Sequence, residues 1–412
     1  MPRREEAPAA TIVPKRDESQ KMKVVEWHGT KDIQVKEVGK PQLTDPEDVI
    51  LKVTSTCICG SDLHFYTGAM PGLKSGDIVG HEFMGIVEDV GPQVKSVKAG
   101  DRVAVAFDIA CGRCFSCKHE AFSGCDNTNP SKEQALMYGH PSAGMFGYSH
   151  LTGGWPGGQA EYARVPFADM MCLKVPDSVP DDKAVLLTDI LPTAWHANEL
   201  AQVGEGDNVA IWGSGPVGML AAHCAQARGA ARVVLIDGEQ DRLDYATKHL
   251  PGVETINFKE QKTTDALKEK FPHGPDCAIE AVGFHYTKSW LHWFEMALKL
   301  ETDPSEILNE LITSGGRIGV VGVYAGFSNH FNIGAFMEKG LSMAAGQTPV
   351  QKYWKKLLQL IQDGKLDPSF VVTHHLPLEQ APYGYKIFND KAEGCVKVIL
   401  KPGMPATVSA EQ

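Results

Sequence analysis

The spacing of apolar and polar positions divides this chain into two rhythms. From about Lys23 to Lys174, short β-rich runs such as Val24–Trp27, Val49–Val53, Met84–Val90 and Arg102–Phe107 are bounded by Gly, Pro and Asp. That pattern predicts an irregular, mostly β region interrupted by loops. After about Pro180, strands and helices alternate. Val209–Trp212 reads as an apolar strand, Val217–Arg228 as a helix almost without charge, Val233–Ile236 as a second strand and Gln240–His249 as a second helix. Further strands are expected at Cys277–Ala281, Ile318–Val323 and Leu341–Ala345. This order implies a parallel, doubly wound sheet. Beyond Gln347 a helix over Lys352–Asp363 precedes strands at Phe370–His374 and Val396–Leu400.

Composition narrows the class. A length of 412 residues exceeds one average core and points to two domains. The 41 glycines, more than the usual ~7% of a chain, suit a fold with many tight turns and backbone close to a ligand. A net charge of −11 without a basic stripe argues against nucleic acid as partner. No run reaches the ~18 apolar residues of a membrane span. Residues 1–22 mix Pro, Ala, Arg, Lys and acids without the apolar centre of a secretory signal, and Glu5, Glu6, Asp17 and Glu18 disfavour a mitochondrial presequence. The expectation is a disordered N-terminal extension on a cytoplasmic protein.

Two motifs carry chemistry through local spacing. Gly213-Ser214-Gly215-Pro216-Val217-Gly218 follows a strand and opens a helix. Its first glycine permits the turn, its second lets backbone approach a pyrophosphate, and its third allows close helix packing, with the phosphates at the positive helix end. Asp237 ends the next strand, where a carboxylate accepts from ribose hydroxyls and repels a 2′-phosphate, favouring NAD over NADP. Arg242, on the following helix, is a candidate cofactor contact or a solvated residue. The second motif is Cys111-x-x-Cys114-x-x-Cys117-x7-Cys125. Four thiolates at this spacing fit a closed, structural zinc site better than a disulfide pair.

Thr56-Cys57-Ile58-Cys59-Gly60-Ser61-Asp62-Leu63-His64 and Gly80-His81-Glu82-Phe83-Met84-Gly85, the latter continuing to Gly91 and Val94, add the decisive pattern. With the cysteine loop and the glycine fingerprint, these residues resemble the zinc-dependent medium-chain dehydrogenase/reductase family over about Lys23 to Leu400. The resemblance implies an α/β fold with a GroES-like, mostly β catalytic domain over 23–185 and 346–412 and a Rossmann NAD-binding domain over 186–345. It also implies two zinc ions per chain. Cys59 and His81 match the first two catalytic ligand positions, and Asp189 stands where many relatives carry a third, a cysteine. Glu82 is an alternative ligand, and Asp62 orients a ligand imidazole. Ser61 and His64 would relay the proton of a substrate oxygen held at the open zinc position, His64 passing it to solvent through the cofactor ribose. Lys397 matches a family position that contacts the pyrophosphate. Cys57 and Cys172 are read as core, and His196, His223, His374 and His375 as packed rather than catalytic.

Four stretches are similar to the glutathione-independent formaldehyde dehydrogenases: Leu187–Thr193, Glu280–Phe284, Gly346–Tyr353 and Thr152–Tyr162. Members of that branch retain NAD and can dismutate aldehydes. The insertion that encloses the cofactor there is expected to be shorter here, after Val282-Gly283-Phe284. Residues 126–157, with Met137, Tyr138, His140, Met145, Phe146, Tyr148 and His150, are expected to line or cover the substrate cleft. The function implied is hydride exchange between NAD and a small alcohol or aldehyde, in a homodimer or homotetramer. A polyol dehydrogenase of the same family and a non-catalytic NAD-binding protein are the alternatives.

Overall fold

A computed structural model describes residues 10–283 and 305–405, apart from 325 and 327. The chain forms two compact units, one of residues up to Asp189 together with those from Pro349 on, the other Ile190–Thr348. Both limits lie slightly later than the expected 185 and 345. The 3-10 turn Val185–Thr188 stays with the β-rich unit because Phe107 donates its amide to the Thr188 carbonyl at 3.1 Å. Gly346 stays with the other, 3.6 Å from His196 Nε2 at its Cβ position. The segment after Gly283, where a shorter insertion is expected, lies outside the described residues.

The β-rich unit opens with β1 (Arg16–Gly29), β2 (Asp32–Pro41), β3 (Val49–Ile58), β4 (Asp77–Ile78) and β5 (Phe83–Val90). It continues through β6 (Arg102–Val105), β7 (Asp108–Ile109), β8 (Gly144–Met145), β9 (Tyr162–Val165) and β10 (Cys172–Lys174). The second unit holds β11 (Asn208–Trp212), β12 (Arg232–Asp237), β13 (Val253–Asn257), β14 (Cys277–Glu280), β15 (Arg317–Val320) and β16 (Ser342–Ala345). Then β17 (His374–Pro377) and β18 (Val398–Lys401) return to the first unit. Its main sheet runs β10-β6-β5-β3-β18-β17, with β9 also on β3. The run Val49–Ile58 exposes only Lys52, so β3 is buried on both faces, as suits a central strand flanked by β5, β9 and β18.

In the second unit the parallel order is β13-β12-β11-β14-β15-β16, the order of a doubly wound dinucleotide-binding sheet. Trp212, Ile236, Leu267, Phe271, Leu311 and Ile312 meet in its core. The strand Val253–Asn257 escapes a periodicity reading because Glu254 and Thr255 interrupt its apolar positions, and the helix Ile190–Leu200 because Pro192 sits in its first turn. The strand expected at Phe370–His374 begins only at His374. Pro368–Val371 winds into a 3-10 turn, capped by Asp367 on the Ser369 amide.

The expected disordered extension is corrected from residue 10 onward. Thr11 bonds Asp45 through its amide at 2.7 Å and its hydroxyl at 3.0 Å, and Arg164 donates to its carbonyl. Lys15 donates to Thr44 Oγ1 at 2.9 Å, and β1 is already a strand at Arg16, paired with Pro41 of β2. A polar segment that lacks local apolar pattern is ordered here by partners distant in sequence. No helix among the described residues is long and apolar enough to cross a membrane.

Candidate active site

Three separate stretches deliver the side chains. Cys59 follows the end of β3, and its amide donates to Asp62 Oδ2 at 2.9 Å, fixing the turn into the short helix Asp62–Tyr66. His81 and Glu82 precede β5 after Gly80, whose φ is +95° and whose Cβ would sit 2.3 Å from Gln159 Cγ. Only glycine fits there. Asp189 ends the turn Val185–Thr188. One donor atom from each of Cys59, His81, Glu82 and Asp189 lies within 4.8 Å of the others.

The spacings suit a tetrahedral cation. His81 Nε2 lies 3.3 Å from Asp189 Oδ2, and donors about 2.0–2.1 Å from zinc are about 3.3–3.4 Å apart. Cys59 Sγ is 4.0 Å from the same oxygen. His81 Nδ1 faces Asp62 Oδ1 at 3.1 Å, so the proton on Nδ1 is held by a carboxylate and Nε2 is the ligating nitrogen. Asp62 is held in turn by Gln159 at 3.5 Å, which also bonds the Cys57 carbonyl at 3.0 Å and accepts from the Tyr385 hydroxyl at 3.0 Å. Burial, and then the charge of Glu82, push the Cys59 thiol above its ordinary range. Burial disfavours the His81 cation, yet Asp62 and Cys59 together raise its pKa well above the usual value. A buried thiol and imidazole among carboxylates fit a site completed by a metal ion, which must displace both protons.

Replacing Asp62 by asparagine keeps the shape but removes the charge behind Nδ1. Zinc affinity and kcat/KM of Asp62→Asn are expected to fall about 10- to 100-fold. Chelator competition and steady-state kinetics measure both, and parent values would remove the orienting role.

Lys397 is corrected. It precedes β18, has no exposed surface and pairs with Glu82 Oε2 at 2.5 Å, so its ammonium is not presented to a pyrophosphate. Ser61 Oγ lies 3.3 Å from His81 Nε2. His64, on the same short helix, is buried rather than open to solvent. Cys57 and Cys172 are buried, as expected for core. None of His196, His223, His374 and His375 is fully buried, and His375 is exposed and pairs with Asp182 at 2.7 Å.

Residues 126–157 divide. On the helix Lys132–Tyr138, Leu136, Met137 and Tyr138 are exposed, while Met145, Phe146 and Tyr148 are buried. The Tyr148 ring meets the His81 ring edge-on at 5.7 Å and Phe65 at 4.6 Å, and its hydroxyl donates to Met70 Sδ at 3.6 Å. Phe107 packs on His81 from another direction at 6.0 Å. Tyr148 is among the residues expected at the substrate cleft, whereas nothing in the sequence singles out Phe107, whose segment carries no motif.

The four cysteines form a second cluster whose donors again lie within 4.8 Å. Cys111 and Cys117 are 4.0 Å apart and Cys114 and Cys125 3.8 Å, while sulfurs about 2.3 Å from a tetrahedral zinc are about 3.8 Å apart. Amides of Cys111 and Cys117 donate to sulfurs at 3.4 and 3.5 Å, as does the Asn127 side chain at 3.3 Å. None of the ten cysteines is joined in a disulfide.

In the second unit, Gly213 turns at φ +100°, and a Cβ on Gly218 would lie 1.9 Å from the Gly213 carbonyl oxygen. The helix Pro216–Ala227 therefore starts directly against the strand end. Asp237 Oδ2 accepts from the Ser214 amide at 2.6 Å, and Oδ1 from Gly238 and Glu239 at 2.7 and 3.0 Å. Its carboxylate is thus locked beside the glycine loop. Arg242 brings its guanidinium to 3.8 Å from the Cβ position of Gly215, and its carbonyl accepts from Ser214 Oγ at 3.3 Å.

Comparison with known proteins agrees with this arrangement. Residues 45–177 match the alcohol dehydrogenase GroES-like domain and residues 216–292 the zinc-binding dehydrogenase domain. A zinc-type alcohol dehydrogenase-like protein of Schizosaccharomyces pombe is 41% identical over 382 residues, covering 92% of this chain and 90% of that protein. A formaldehyde dismutase of Pseudomonas putida is 35% identical over 410 residues, covering 93% and 98%. Among solved structures, the alcohol dehydrogenase TADH from Thermus sp. ATN1 is similar with a TM-score of 0.78 at 34% identity, covering 92% of this chain and all of that one.

Proposed function

The chain belongs to the zinc-type alcohol dehydrogenase family, and we propose that it transfers a hydride between NAD and a small alcohol or aldehyde, in the manner of formaldehyde dehydrogenase. The convergence of Cys59, His81 and Asp189 on one buried point carries this reading. A thiolate, a carboxylate and a neutral imidazole would hold zinc with balanced charge, and zinc bound there supplies Lewis acidity to a substrate oxygen.

The chain's own groups do the rest. Asp62 keeps the Nδ1 proton in place so that Nε2 stays a ligand. The Ser61 hydroxyl, beside that nitrogen, would take the substrate proton while giving up its own to His64, which lies three residues on in the helix that Ser61 precedes. Phe107 and Tyr148 shield His81 from water and leave an aromatic surround. This favours a small apolar alcohol or aldehyde over a polyol, whose further hydroxyls need polar partners. In the second unit the glycine-loop amides receive the pyrophosphate, and the remaining lone pairs of Asp237 receive the ribose hydroxyls. Identity with a formaldehyde dismutase supports an aldehyde as substrate and dismutation as a further capacity.

A panel of simple alcohols, aldehydes and polyols, each with NAD and with NADP, tests the reading. Turnover is expected with NAD and a simple alcohol or aldehyde, and Asp237→Ser should shift the cofactor ratio toward NADP by about tenfold or more. Activity confined to sorbitol or xylitol would select the polyol reading. A parent enzyme that prefers NADP would overturn the part given to Asp237.

A further inference from the structure

The metal cluster contains one carboxylate more than an open site uses. Glu82 brings a donor atom into the same 4.8 Å group as Cys59, His81 and Asp189. Four protein ligands would complete a tetrahedral ion and leave no place for substrate. We propose that Lys397 is a positioning residue, whose ammonium holds Glu82 off the metal and so keeps the fourth position open. This rests on the assignment of Cys59, His81 and Asp189 as the zinc ligands.

The geometry leaves Glu82 only its side chain to move. Its carbonyl accepts from the Cys57 amide and from Thr56 Oγ1, each at 2.9 Å, which clamps its backbone to β3. Lys397 is placed just as firmly, one residue before a strand whose Val398 stands opposite Ile58 of β3. The pair is 2.5 Å apart, and neither side chain has any exposed surface. Charge points the same way. The thiolate and Asp189 carboxylate match the two charges of zinc, and the Glu82 carboxylate matches the ammonium. Moving Glu82 onto zinc would strand a buried cation without a counter-charge, which a low-dielectric interior strongly disfavours.

Lys397→Met removes the restraint. The buried carboxylate, now without its cation, is expected to join the metal. Zinc affinity by chelator competition should rise at least about tenfold. The cobalt-substituted variant should no longer change its visible spectrum on addition of imidazole, which in the parent enters the open position. The charge-neutral pair Glu82→Gln/Lys397→Met keeps the test alive if the single variant fails to fold. It should bind zinc within about threefold of the parent and respond to imidazole as the parent does. Lys397→Met with parental zinc affinity and an unchanged imidazole response would overturn the proposal. So would a tenfold loss of affinity in the double variant, because Glu82 would then be a resident ligand. A parent chain that binds only one zinc, at the cysteine lobe, would instead remove the underlying ligand assignment, and the proposal with it.

Discussion

Cys59→Ala is expected to carry one zinc ion per chain where the parent carries two, and to lose alcohol oxidation by about a thousandfold or more. The thiolate is one of three donors and half of the negative charge that balances the ion. Without it, His81 and Asp189 remain 3.3 Å apart while Glu82 is tied to Lys397, which leaves two available donors, too few for a closed or an open zinc site. Cys59 is buried at the end of a central strand, so a smaller side chain leaves a small cavity and little else. Circular dichroism and nucleotide binding should therefore stay near parental values while metal content and turnover fall. Retained turnover in a variant that holds one zinc would end the metal-based mechanism.

The second large effect falls on stability. Cys125→Ala, at the most deeply buried of the four lobe thiols, should reduce metal content to one ion per chain and leave the other site loaded. The lobe around Cys111–Cys125 has little secondary structure beyond the turns Phe115–Lys118 and Phe122–Gly124. Its order is expected to rest on the ion that the four thiolates would hold and on the amide-to-sulfur bonds they accept. A loss of several kcal/mol, or roughly 10 °C in Tm for a unit of this size, is expected, with proteolysis concentrated at Arg113 and Lys118. If reductant rather than chelator produced that loss in the parent chain, the lobe would be held by a disulfide and not by metal.

These sites differ in how far the sequence discloses them. The glycine loop, Asp237 and the four cysteines are legible because each works through neighbours within one turn or one strand–helix step, so spacing alone carries the geometry. Asp189 is legible only through family resemblance, since nothing around Leu186-Leu187-Thr188 marks it as a ligand. Lys397 misleads. A lysine leading into Val398-Ile399-Leu400 looks like the polar end of a strand. Its buried partner Glu82 lies near the opposite end of the chain, and only the β3–β18 pairing brings the two together. The Asp62–Gln159–Tyr385 network is hidden for the same reason, because its members come from three distant segments. Residues 10–22 show the limit of composition. They lack an apolar pattern, yet Arg164, Asp45 and Thr44 fix them through polar contacts that no local window contains.

The split of the β-rich unit across both ends of the chain governs the order of events during synthesis. The nucleotide-binding unit emerges from the ribosome as one uninterrupted stretch and can fold as soon as residue 348 is out. Its partner must wait. By then every proposed zinc donor has been translated, but the edge of β3 at Cys57 lacks β18, and Glu82 lacks its cation. Nascent chains therefore pass through a stage with a thiol-rich, unclosed sheet, and a message truncated before codon 397 would encode all the metal ligands and still yield no competent enzyme.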